Sequence, residues 1–135
     1  MEISNSFGPL DIAVSGLRAQ NRSMELISSN VANSRTTKGS DGKPYRRLEA
    51  TFKTTGDNAF GGVEIDDIVT DQSDFQRIMD PGNPNADEQG YVLMPNVNLP
   101  TEMINLTTAS KAYQANAAIM KRFQQMTETT LELLR

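Results

Sequence analysis

The chain has 135 residues, 37% of them hydrophobic, a net charge of −4, and neither cysteine nor histidine. One domain's length with a below-average apolar fraction leaves little for a large private core, and seven Met make the apolar surface adaptable. The acidic balance argues against nucleic acid as a partner, and the missing residue types exclude disulfides, Cys-ligated zinc and the commonest general base.

Residues 1–7 carry no pattern. The opening "MEISNSFGPLDIAVSG" has no basic n-region and no apolar run long enough for a cleaved signal peptide or a membrane span, so any export is expected by another route. Gly8-Pro9 opens a periodic segment, with Pro9 suited to a first helical turn. Leu10, Leu17, Met24 and Val31 recur by seven, with Ala13, Val14 and Ile27 on the same face. The spacing predicts a helix of roughly 25 residues, about 38 Å long. Ile12, Ala19 and Leu26 form a second apolar line on roughly the opposite face.

That helix runs into "SSNVANSRTTKG" (28–39), which is rich in hydroxyls and amides and has no large apolar residue after Val31. With no histidine or cysteine to activate them, Asn30 and Asn33 read as helix-end residues. Capping within one chain and bonding to a neighbouring chain both remain open for them.

Residues 36–95 read as a β-rich middle region. "YRRLEATFKT" (45–54), "VEIDDIV" (63–69, bulged between Asp66 and Ile68), "FQRIMD" (75–80) and "YVLM" (91–94) are predicted strands, with "DPGNPNADEQG" (80–90) a loop. Lys43, Arg46 and Arg47 form the one basic cluster, read as a solvated strand end. Asp66, Asp67, Asp71, Asp74 and Asp80 do not fit a calcium loop. Counted from Asp80, Gly82 and Pro84 fall on ligand positions, and counted from Asn83, Glu88 falls where glycine is required. No phosphate loop and no nucleophile–base pair is present, so no catalytic, cofactor or metal residue is assigned.

"MPNVN", with Asn96 and Asn98, leads into a second helix that has Pro100 in its first turn and extends to about Leu134. Leu99, Leu106, Tyr113 and Met120 share one heptad position; Met103, Ser110, Ala117 and Leu131 share its partner. Ile104, Ile119, Phe123 and Met126 make a further stripe, so apolar positions cover more of the helix than one partner needs.

The expected fold is mainly α with a small β region, of α+β class. Helices from 1–35 and 96–135 pair as a coiled coil, with a β-hairpin-rich insertion at 36–95. The seam is expected at Leu10, Leu17, Met24, Ile27 and Val31 against Leu106, Tyr113, Met120 and Leu131. Two stripes then face outward: Ile12, Ala19 and Leu26, and Ile104, Ile119, Phe123 and Met126. Left wet, each large side chain would forgo roughly 1.5 to 3 kcal/mol. Four short strands cannot span a second helix of about 52 Å, so other subunits are expected to cover these stripes.

The residues also resemble a known family. "SGLRAQNRSMELISSNVANSRTT" is similar to the N-terminal signature of the flagellar axial proteins, the rods and hooks, with Val31 and Ser34 where Leu and Ala are commoner. "GYVLMPNVNLPTEMINLTTASKAYQAN" is similar to their C-terminal signature. "GKPYRR", "DPGNPNADEQGYV" and "MPNVN" narrow the resemblance to proximal rod members. The resemblance implies a structural subunit of the periplasmic basal-body rod, exported by the flagellar type III apparatus and assembling with copies of itself and other rod proteins. It also implies terminal helices paired around an axial channel and no enzymatic role. The alternative on residues alone is a soluble helical adaptor or chaperone that binds amphipathic helices.

Overall fold

A computed structural model describes residues 8–56 and 61–134. The reading of 1–7 as unpatterned lies outside the described residues. Helix α1 spans Pro9–Ala32 and helix α2 spans Leu99–Leu133. Between them lie β1 (Leu48–Thr55), β2 (Gly62–Thr70), β3 (Gln76–Met79) and β4 (Tyr91–Met94). The α+β class and the middle hairpins are as expected.

Each helix starts and stops for local reasons. Gly8 accepts from the backbone N–H groups of Asp11 (2.9 Å) and Ile12 (3.2 Å), and Asp11 favours the positive end of the helix dipole. At the far end Asn33 donates from both backbone N (3.0 Å) and Nδ2 (2.9 Å) to the Ser29 carbonyl. Asn98 caps α2, its Oδ1 accepting from Thr101 N and Thr101 Oγ1 at 3.0 Å each.

The helices are antiparallel and in step. Asn30 meets Glu102, while Gly16 faces Asn116, so fourteen residues separate the two meeting points along either helix. Extended along the pair, this alignment sets Pro9 opposite Phe123. The ten residues from Gln124 to Leu133 then run on past α1 for about 15 Å.

Strands β1 and β2 form an antiparallel hairpin packed on α1. Thr51 pairs with Asp67 but Phe52 with Ile65, so Asp66 is the extra residue of a bulge, one position from the sequence expectation. Ser15 ties the layers together, its Oγ accepting from Val63 N at 3.0 Å. The approach at Gly62 needs a glycine, since a Cβ there would lie 2.5 Å from Ser15 Oγ. The shorter β3–β4 hairpin contacts neither helix among the described residues and rests on the 36–45 segment, where Asn85 Nδ2 donates to Thr37 Oγ1 at 3.0 Å.

Among the described residues the buried apolar side chains are few, and three of the seven are alanines: Ala13, Ala19, Leu26, Ile27, Val92, Val97 and Ala109. On α2, the longest element, only Glu102 and Ala109 are buried, so it contributes little to the core for its length.

Candidate assembly site

Two features stand out: a buried polar junction at one end of the helix pair and an apolar face left uncovered along α2.

The junction centres on Asn30 and Glu102, which are 1% and 0% exposed. Asn30 fills its whole bonding capacity. Its Nδ2 donates to Leu48 O (2.9 Å) and Glu102 Oε2 (3.1 Å), and its Oδ1 accepts from Leu48 N (2.9 Å) and Tyr45 Oη (2.9 Å). Arg47 Nε donates to the other Glu102 oxygen at 2.6 Å, and its Nη1 reaches Glu49 at 3.1 Å. Burial opposes the charge on Arg47, but the Glu102 bond and charge outweigh it and hold the guanidinium pKa above its ordinary value.

Asn96 extends the junction, accepting from Arg47 N (2.8 Å) and donating to Asp71 O (3.0 Å) and Ser73 Oγ (3.0 Å). Arg46 donates to the Asp71 and Ser73 carbonyls (both 3.1 Å) and lies 4.3 Å from the Phe75 ring centre. The basic cluster is therefore not a solvated strand end as expected: Arg46 and Arg47 are committed inside the junction. All four helix-end asparagines also have partners within this chain, Asn33 additionally accepting from Thr36 Oγ1 at 3.3 Å.

The residues of α1 shown to meet α2 are Gly16 and Asn30; those expected in the seam are covered to different degrees. Ile27 is buried, and Leu10, Leu17, Met24 and Val31 are half-buried. On α2 the most covered line is Glu102, Ala109, Asn116 and Phe123, spaced by seven and flanked by half-buried Leu106 and Met120. Tyr113 and Leu131, expected in the seam, are exposed, Leu131 at 63%. The face is turned because Arg47 and Asn30 draw Glu102 inward and Gly16 admits Asn116. Leu131 lies past the start of α1.

The outward stripes divide. Ala19 and Leu26, expected to face other subunits, are buried within this chain because the β1–β2 hairpin covers that side of α1, and Ile12 is half-buried. On α2, Ile104, Ile119 and Met126 stay exposed, Ile119 at 50% and Met126 at 59%, while Phe123 is half-buried. Met103, Leu131, Leu133 and Leu134 are exposed as well, Met103 on another side of the helix. Exposed apolar side chains aligned along one helix face mark an interaction site.

Sequence reasoning missed Glu102 and Tyr45. The signal for Glu102 was its heptad spacing from Ala109, Asn116 and Phe123; an acid on that line has to be paired. No group of three or more potential metal ligands occurs among the described residues, and no described helix is long and apolar enough to cross a membrane.

A helix pair joined by a buried polar junction, with an apolar face left uncovered along α2, is the form of a structural subunit in a larger assembly. Residues 10–39 match the family described as "Flagella basal body rod protein", and residues 88–133 match "Flagellar basal body rod FlgEFG protein C-terminal". The chain is 40% identical over 125 residues to the flagellar basal-body rod protein FlgC of Escherichia coli O157:H7, covering 91% of this chain and 93% of that one. It is 38% identical to FlgC of Yersinia enterocolitica over 98% of both chains, and 34% identical to FlgC of Borreliella burgdorferi over 95% of this chain and 97% of that one. The chain belongs to the FlgC family of flagellar basal-body rod proteins.

Proposed function

We propose that this subunit builds the rod by burying the outward face of α2 (Ile104, Ile119, Phe123 and Met126) against neighbouring subunits, both copies of itself and other rod proteins. The observation that carries this is the exposure of Ile104, Ile119 and Met126 along α2, which also runs on past α1. In this reading 1–35 and 96–135 form the coiled-coil part, and 36–95 the outer β-rich piece. The role is structural, with no catalytic step. The family resemblance supports export by the flagellar type III apparatus without a cleaved signal peptide, and assembly in the periplasmic part of the rod. Neither the fold nor the relatives favour the helical adaptor.

The test is incorporation. Ile119→Lys and Met126→Glu are expected to leave the protein exported but absent from isolated basal bodies, because a charge would have to be buried unpaired at several kcal/mol. Normal incorporation of both variants would contradict the proposal.

A further inference from the structure

Apolar packing alone does not fix how the two helices are aligned. Leu10, Leu17, Met24 and Val31 recur by seven on α1, as do Leu99, Leu106, Tyr113 and Met120 on α2. Sliding α1 by one heptad toward the C-terminus of α2, about 10.5 Å, keeps the same faces together, with Ala109, Asn116 and Phe123 taking the places of Glu102, Ala109 and Asn116. It would set Asn30 opposite Ala109 and Gly16 opposite Phe123, and shorten the uncovered end of α2 by two turns. The opposite slide would face Asn30 with Pro95, before α2 begins. Seam positions such as Ala13 and Ala109 are too small to discriminate strongly.

The polar junction does discriminate. Three of Asn30's four bonds stay within the half of the molecule formed by α1, β1 and the segment before β1. Among the described residues, only the bonds from Asn30 (3.1 Å) and Arg47 (2.6 Å) to Glu102 reach across to α2 itself. A slide would break those two bonds, separate the Arg47–Glu102 pair and pull Asn96, three residues before α2, away from Arg47, Asp71 and Ser73. We propose that Asn30, Arg47 and Glu102 are a register lock, selecting this alignment over the heptad-shifted one and so setting how much of α2 is left uncovered for assembly. A buried ion pair adds little net stability relative to apolar residues of the same shape, but it is costly to separate, which suits it to choosing between alignments.

The absence of native cysteine lets introduced pairs report without interference. Gly16→Cys with Asn116→Cys reads the observed alignment, since a Cβ on Gly16 would lie 2.6 Å from the Asn116 amide nitrogen. Gly16→Cys with Phe123→Cys reads the shifted one. Each pair is oxidised in the purified full-length chain and in isolated basal bodies. With the lock intact, the 116 pair is expected to cross-link in at least one of these settings and to exceed the 123 pair by roughly tenfold or more. No 116 cross-link in either setting overturns the proposal. Arg47→Met with Glu102→Leu is expected to raise the 123 cross-link to a comparable yield, and the milder Glu102→Gln to raise it in part. Cross-linking confined to the 116 pair in both unlocked backgrounds overturns the lock. So does loss of both cross-links, because the cluster would then hold the helices together without choosing between alignments.

Discussion

Asn30 shows how much one side chain can decide. Removing it leaves the Leu48 N–H and C=O, the Tyr45 hydroxyl and one Glu102 oxygen each short of a partner in a dry site. Asn30→Ala is expected to destabilise this end of the molecule by about 2 to 4 kcal/mol, read as lost hydrogen-exchange protection at Leu48. Asn30→Asp should do at least as much harm, because it sets a second carboxylate beside Glu102. Asp71 gives a pH prediction at the same scale. Hydrogen bonds from the Ser73 backbone and side chain, helped by Arg47 and Arg46, hold its carboxyl pKa below the ordinary value against the opposing effect of burial. A depressed folded pKa means the stabilisation is complete above the unfolded value of about 3.9 and is lost as pH falls through the folded one. The Ser73 amide resonance should therefore stay constant from neutrality to mild acid and shift only below that value. A change centred near neutral pH would contradict the assignment. Of the asparagines read as helix-end residues, Asn33 and Asn98 bond at helix ends, while Asn30 and Asn96 bond across the fold, which a fading apolar period does not reveal. Glu102 was not legible either, because an acid on a helix reads as solvated until its partner, Arg47, 55 residues away in sequence, is placed beside it.

At the scale of elements, both helices and all four strands could be read from periodicity and turn residues, and "YVLM" coincides with β4. What periodicity could not give was the neighbour of each face. Two apolar lines on α1 require two partners, but only the tertiary fold shows that the second is the β1–β2 hairpin rather than another subunit. The start of β1 at Leu48 instead of Tyr45 has a similar origin, since Tyr45 turns its hydroxyl to Asn30. The exposed turn at Ser40–Asp41–Gly42, where Gly42 takes φ 76°, is held by the Gly39 N to Lys43 O bond of 2.7 Å. A short Gly/Ser insertion after Asp41 should leave motility largely intact, because Ser40, Asp41 and Gly42 are all exposed. Loss of rod assembly with normal export would show instead that the loop is an interface.

For the whole molecule, the accessible surface of 10006 Å² exceeds the roughly 7,000 Å² of a compact 14.9 kDa monomer. So large a surface over so small a core leaves the distal half of α2 with little to hold it, and a lone helix face is only marginally stable in water. In the isolated chain, amides of 117–133 should exchange on the order of seconds, while protection concentrates at the Asn30–Glu102 end and in β1. Slow exchange through to residue 133 in a verified monomer would mean that α2 needs no partner. Ordering the distal part of α2 only on addition to the rod would also restrain premature polymerisation. The central claim is that neighbouring subunits bury the outward face of α2, and a single introduced thiol tests it most directly. In a chain with no native cysteine, Met126→Cys should react quickly with a maleimide in the purified protein and at least tenfold more slowly in intact basal bodies. Equal labelling rates in the two states would contradict it.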